Sequence, residues 1–340
     1  MKFLLISDSH FHAYKSHASI LEDGSNSRFI DIKQAWEEAV KDGWGKGCEC
    51  LLFSGDMFHT RGVLKPSVFN EVFKLMAWTA ERMRIILVAG NHDMEAFQGG
   101  HTAIDTFDGL ANGNIDVIKA PCCTMVGDIK VGGIPYIHDI DEFKRVFVAF
   151  SNENTPDITL IHQGVDGFGP AGMPDCGITV NFLQENNGGM IVAGHYHDPK
   201  VEGRVVMCGA PCQHSFSDEG SERGYWIYDT ETSKRQFYPL YITPEFITLD
   251  GTEKKPDIAK GSIIRIKTSD AKVGEKMKEK CIKAGVGSAV VVLERKFATA
   301  HDKTIPINTP KKMLIDYLEL MPEYSEDKGP LLALYEKVCG

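Results

Sequence analysis

The sequence predicts a layered α/β protein with two smaller additions at its C-terminal end. Three observations carry this reading. Short apolar strands alternate with amphipathic helices over residues 1–240, and the pattern changes near 245 to a compact β-α-β unit. The chain then closes with two short helices behind a polar stretch. The expected divisions are 1–243, a main α/β domain, 244–300, a small cap, and 301–340, a linker and helical tail.

Taken in order, KFLLISD (2–8), CLLFSGD (50–56) and IILVAGN (85–91) read as strands. Each holds an unbroken apolar run, as expected of strands covered on both faces. FIDIKQAWEEAV (29–40) and PSVFNEVFKLMAWTAERM (66–83) place apolar residues at helical spacing between them. Strand–helix–strand order implies right-handed parallel crossovers. Shorter strands with Gly-rich turns follow at 128–136, 157–164, 189–197, 204–211, 224–229 and 234–240. Beyond 245, GSIIRIKTSD, the Lys-rich AKVGEKMKEKCIKAG and SAVVVLERKF make the β-α-β cap. A proline-containing linker (298–310) leads to KKMLIDYLELM and GPLLALYEKV, two amphipathic helices too short to be stable alone in water.

Composition narrows the function classes. No apolar run is long enough to span a bilayer, and the N-terminal apolar stretch is too short for a signal-peptide core, so no membrane partner and a cytoplasmic location are expected. The nine cysteines lack zinc-ribbon context and read as reduced, mostly buried thiols. No G-x-x-x-x-G-K-[ST] occurs, so this chain is not itself a P-loop ATPase. The net charge of −10 is uneven: residues 251–300 carry 12 Lys/Arg against 6 Asp/Glu, whereas residues 1–250 carry 20 against 34. Lys272, Lys276, Lys280 and Lys283 fall along one face of the cap helix, a stripe that on charge alone reads as a solvated face and that would also suit a phosphate backbone.

The strands of the first domain end in polar clusters that a core could not easily satisfy. Asp8 and His10 follow the first strand, Asp56 the second, and Asn91, His92 and Asp93 the third. His162 ends a later strand, and His195 and His197 another. Carboxyl ends of parallel strands lie along one edge, where ligands sit. Oxygen and imidazole donors without thiolates suit divalent metals, and seven ligands suit two ions better than one. His195 and His197 need a turn to reach one site, which Gly194 is expected to permit. His12, His17, His101, His138, His214 and His301 lie outside these clusters and read as surface residues or neighbours of the ligands, His12 and His214 being the first candidates for the latter.

The ordered set D-x-H, GD, GNHD, H and GHxH resembles the calcineurin-like metallophosphoesterase superfamily, over residues 1–240. The resemblance implies a β-sandwich flanked by helices and two divalent metal ions, Mn2+ or Mg2+. It places Asp8, His10 and His197 on one ion, Asn91, His162 and His195 on the other, and Asp56 between them. It makes His92 the catalytic histidine, with Asp93 orienting its ring. GDMFHTRGVLKPS (55–67) is similar to the second motif of SbcD-type DNA-repair nucleases, with His59 positioned to act on the substrate strand. GAPCQHSFSDEGSERGYWIYD (209–229) is similar to that family's segment after the last metal histidine. At this length the chain is most similar to the family's short phage members. The implied partners are DNA, an SMC-like ABC ATPase of the SbcC type docked by the tail, and a second copy in a homodimer. A small-molecule phosphodiesterase or phosphatase shares the ligand set, and a non-catalytic repair scaffold shares the fold; both stand as alternatives.

Overall fold

In the computed structural model, which describes residues 1–96, 100–252, 258–293, 314–315 and 328–339, strand β1 (Lys2–Ile6) runs between two apolar layers. Side chains alternate across a strand, so an unbroken apolar run serves both faces. Phe3 and Leu5 pack toward Val131, Leu160 and Val192 of a second sheet. Leu4 and Ile6 pack toward Trp36, Val40, Val72 and Met76 of the covering helices.

The elements follow in chain order: α1 (Ser27–Gly45), β2 (Cys48–Phe53), α2 (Pro66–Ala80), β3 (Arg84–Val88), α3 (Leu110–Gly113), β4 (Ile115–Ile118), β5 (Cys122–Val126), β6 (Ile129–Ile134) and α4 (Ile140–Asn154). Next come β7 (Ile158–His162), α5 (Val180–Asn186), β8 (Met190–Gly194), β9 (Lys200–Glu202), β10 (Val205–Met207), β11 (Gly224–Asp229) and β12 (Lys234–Pro239). The cap contributes β13 (Phe246–Asp250), β14 (Ile263–Thr268), α6 (Ala271–Lys283) and β15 (Ser288–Leu293), and α7 (Lys328–Cys339) lies near the C-terminus. Helix starts are locally encoded. The Asn26 side chain accepts from the Phe29 N–H to cap α1, Pro66 opens α2, and Asp139 and Thr179 cap α4 and α5.

The first sheet has the order β12-β11-β1-β2-β3-β4 and the second β5-β6-β7-β8-β10-β9. β1 to β4 are mutually parallel, as are β6, β7, β8 and β10, so both sets of carboxyl ends form edges. With α1 and α2 outside one sheet and Phe143, Phe147 and Leu183 of α4 and α5 outside the other, the chain forms four layers. The predicted α/β sandwich stands. Four strands were not expected from the sequence: β4, β5, β9 and β13. β9 is wholly exposed and β5 starts exposed at Cys122, so neither edge strand carries a continuous apolar signal.

The cap is a three-stranded parallel sheet, β13-β14-β15, one strand larger than the expected β-α-β unit. α6 buries Met277 and Cys281 against Leu249, Ile264 and Ile266. Lys272, Lys276, Lys280 and Lys283 all remain exposed on its other side. The cap is held to the main body by the segment 213–219. The Phe246 N–H donates to Gln213 Oε1 at 2.7 Å, the Thr248 hydroxyl donates to Glu219 at 2.6 Å, and Phe216 meets Phe246 edge-on with ring centroids 4.9 Å apart.

The chain divides into two compact units, Met1–Leu293 and Glu294–Gly340. In the second, α7 is helical as expected and Leu331 on it is exposed. Leu314 and Ile315 are helical, whereas the linker (298–310) and the rest of the first tail helix lie outside the described residues. Among the described residues, no helix is long and apolar enough to cross a membrane.

Candidate metal centre

The polar residues that end β1, β2, β3, β7 and β8 gather at one place. The loops after β1 and β2 are bonded together: Asp8 N–H donates to Gly55 O at 2.9 Å and His10 N–H to Asp56 O at 3.0 Å. This close approach needs Gly55, whose φ is +94° and where a Cβ would lie 2.4 Å from His162 Nδ1. Several site residues take a left-handed backbone although they are not glycine: Asp8 (φ 51°), His10 (φ 47°), Asp56 (φ 59°) and His195 (φ 103°). Such conformations cost roughly 1–3 kcal/mol each and persist where the surroundings enforce them. The turn that separates His195 from His197 is therefore made by His195 itself. Gly194 has another task, since a Cβ there would sit 2.1 Å from Ser7 Oγ.

All seven expected ligands converge. His10 Nε2 lies 3.2 Å from His197 Nε2, 3.9 Å from Asp8 Oδ1 and 3.7 Å from Asp56 Oδ2. On the other side, His162 Nε2 lies 3.3 Å from Asp56 Oδ2 and 3.1 Å from Asn91 Oδ1, and His195 Nδ1 lies 3.0 Å from that same Asn91 oxygen. Asp56 thus faces both groups.

The donor set fits divalent cations on a specific ground. His162 Nδ1 donates to the Ser54 carbonyl at 2.6 Å, which leaves Nε2 facing two acceptor oxygens, an arrangement satisfied by a proton or by a cation between them. His197 Nδ1 donates to Asp218 Oδ1 at 3.3 Å, so its Nε2 lone pair faces His10 Nε2, and His10 Nδ1 is buried without a partner. Lone pairs that converge in a buried space call for a cation between them. The electrostatics agree. Burial lowers the His10 pKa well below its ordinary value and that of His195 to about 4, so both are neutral donors. Burial alone would raise Asp56, but the facing His162 and His10 hold it far below the usual carboxylate range. Burial would likewise lower His162, yet Asp56 raises it to about 9, a sign of how strongly that pocket favours positive charge.

His92 lies beside the first group, its ring edge-on to His10 with centroids 4.9 Å apart, and ring nitrogens of His10, His59 and His92 lie within 4.8 Å of one another, a third set that could hold a cation. Its backbone N–H donates to Asp56 Oδ1 at 2.8 Å, and its Nδ1 meets the His59 carbonyl at 2.5 Å. The ring of His59 stacks on that of His92 at 5.7 Å and 14°. Asp93 does not orient the His92 ring, contrary to expectation. Its carboxylate accepts four backbone N–H bonds, from Asp56, Met57, Phe58 and Gly90. Burial and the Asp56 charge push the Asp93 pKa up, and these donors oppose the push. Asp93 is a brace for the loop that carries Asp56, and the His59 carbonyl is what fixes the His92 ring.

Two residues beyond the expected set hold the ligands in place. Asp218 accepts from His197 Nδ1, from His214 N–H at 2.7 Å and from Arg223 Nη2 at 3.1 Å. His214 Nε2 donates to the Asp8 carbonyl at 3.0 Å, which places this candidate beside the ligand cluster. The sequence signal for Asp218 is the capping box of Ser215 and Asp218, visible as S-x-x-D but equally common at ordinary helix starts. His12 is one ring further out, 5.2 Å from His59.

The chain is 25% identical over 215 residues to exonuclease subunit 1 of Enterobacteria phage T4, an alignment covering 62% of this chain and 61% of that protein's length. Among solved structures, an archaeal phosphodiesterase is similar with a TM-score of 0.40 and 14% identity, over 71% of this chain and all of that one. A dimetal phosphatase from Danio rerio is similar with a TM-score of 0.42 and 9% identity, over 67% and 91% of the two chains. Residues 1–199 match the calcineurin-like phosphoesterases, the stretch that carries all seven converging side chains, and the chain belongs to that family.

Proposed function

We propose that this chain is the nuclease subunit of an SbcD-type recombination or repair machine, hydrolysing DNA phosphodiesters with two divalent cations and working with an SMC-like ATPase. The observation that carries the hydrolytic part is the convergence of Asp8, His10 and His197 with Asp56 and His162, Asp56 lying 3.7 Å from His10 and 3.3 Å from His162, with the His92 ring edge-on to His10. The DNA part is supported by the exposed lysine row on α6 and by the similarity to a phage exonuclease subunit.

In this reading Asp8, His10 and His197 hold one cation, Asn91, His162 and His195 hold the other, and Asp56 serves both. Bound there, manganese or magnesium ions supply an activated water and offset negative charge at phosphorus. The chain's own contribution is to place and protonate. With Nδ1 fixed by the His59 carbonyl, His92 presents Nε2 to the phosphate. From there it stabilises developing charge or gives a proton to the leaving 3′-oxygen. His59, stacked on His92, fixes the ring plane and lines the approach of the strand. Because the chemistry needs only a phosphodiester, the lysines set affinity through the backbone and no sequence preference is expected.

The test is digestion of end-labelled linear DNA with Mn2+ or Mg2+, with and without the cognate ATPase and ATP, beside nitrophenyl phosphodiester and phosphomonoester controls. Release of labelled nucleotides with diester turnover bears the reading out. Rapid monoester turnover with intact DNA makes the chain a phosphatase instead.

A further inference from the structure

Beside His195 and His197 the surface dips into a cleft of about 270 Å3. Its wall is apolar: Phe168 and Tyr196 are buried, and Met173, 50% exposed, stands at the mouth. The Tyr196 ring packs against that of His195 with centroids 5.2 Å apart, so the apolar wall continues directly into the metal centre.

Charge decides what the cleft can take. Asp198 stands on its rim with a half-exposed carboxylate, and Asp218 lies behind it. The cations nearby are committed. Arg223 is bonded to both aspartates, and Lys200 donates to the Gly167 carbonyl at 2.5 Å while lying over the Phe168 ring. A phosphate entering here would meet two carboxylates with no lysine or arginine among the lining residues to offset them. An uncharged planar group tethered to a phosphate at the metal centre would find apolar walls. It would also find an acceptor, because the bonds from Ser221 (2.5 Å) and Arg223 (2.9 Å) both fall on Asp198 Oδ1 and leave Oδ2 for an N–H.

The geometry points to a nucleobase subsite: the base of the nucleotide whose phosphate is being cleaved packs against Met173, Phe168 and Tyr196 and donates an N–H to Asp198. This rests on the DNA-hydrolysing reading and deepens it. Every base has a π face and at least one N–H, so the subsite adds affinity without strong sequence preference. A base still paired in a duplex cannot enter, so the scissile nucleotide is one unpaired at a frayed end or in a single strand.

The experiment uses the full chain with Mg2+ and two diesters that release the same nitrophenolate, thymidine 5′-(4-nitrophenyl phosphate) and methyl 4-nitrophenyl phosphate. The wild type should prefer the thymidine diester in kcat/KM, and Met173→Asp should reduce that preference at least fivefold. A second readout does not depend on turnover. With methionine methyl groups labelled with 13C and the Met173 signal assigned from Met173→Ala, thymidine 5′-monophosphate should shift that signal and inorganic phosphate should not. A preference that survives Met173→Asp, or an equal shift with inorganic phosphate, overturns the subsite. If the wild type shows the preference and the shift but digests no DNA, the nuclease reading fails and the nucleobase subsite stands.

Discussion

At the scale of single residues, the proposed function separates groups that bind cations from a group that acts on the substrate. Asp56 faces His10 and His162 at once, so Asp56→Ala should abolish turnover and remove both cations. In the proposed reading His92 acts and does not bind a cation, its Nδ1 being held by the His59 carbonyl, so His92→Gln should keep metal content near two per chain while activity disappears. Metal analysis of the purified variants checks both; a His92 variant short of one ion would mean that a ligand had been taken for the acting group. Asp218 is a positioning residue. It orients His197 through Nδ1, and partners of this kind are typically worth about 10–100-fold in metal affinity. Asp218→Ala should weaken binding by that order in a calorimetric titration, and Asp218→Asn, which still accepts from Nδ1, by less.

At the scale of elements, the segment 213–219 is the connection between chemistry and cap. Its inner residues, His214 and Asp218, brace Asp8 and His197, and its outer residues, Gln213, Phe216 and Glu219, hold β13. The cap is thus fastened to the same segment that aims a ligand. On the cap, α6 turns Met277 and Cys281 inward and its four lysines outward. If these follow a DNA backbone, Lys276→Glu with Lys280→Glu should weaken DNA binding and lower the slope of log affinity against log salt by about one per lost contact. A nitrophenyl diester has no backbone for the row to follow and serves as the internal control. Binding by the doubly reversed variant as tight as wild type at low salt would return the row to an ordinary solvated helix face.

At the scale of the whole molecule, metal binding should appear as stability. Ions that bind only the folded chain stabilise it by about 2.7 kcal/mol at a hundred times their dissociation constant. For a body of this size that is a melting shift of roughly 4 °C per ion, or about 8 °C for two. Chelation should lower Tm by that amount and restoring manganese should recover it; an unchanged Tm would place the cations outside the fold's energetics. The tail is the second large-scale question. We propose that residues 309–340 dock on the ATPase, since α7 belongs to a unit separate from Met1–Leu293. Their deletion should leave metal content and diester turnover intact and abolish co-purification with the ATPase. Loss of metals on truncation would assign the tail to the catalytic body.

Much of the fold and the site was legible in the sequence. Unbroken apolar runs such as IILVA marked strands covered on both faces, helical spacing marked α1, α2 and α6, and polar strand ends marked the edge where seven side chains meet. These features are local, or repeat along one strand, and physical chemistry reads them without knowing the partner. The edge strands β5 and β9 were not legible, because half-exposed backbone needs no apolar pattern and becomes a strand only when a neighbour offers hydrogen bonds. Nor were the tasks of Asp93, Gly194 and Asp218. The sequence places Asp93 next to His92, yet the fold brings four amide groups of two loops around its carboxylate. It spaces Gly194 as a hinge, yet the fold bends His195 and brings Ser7 against the glycine. What a polar side chain does depends on which groups surround it once water has been excluded. That was decided only when strands distant in the chain came to lie side by side.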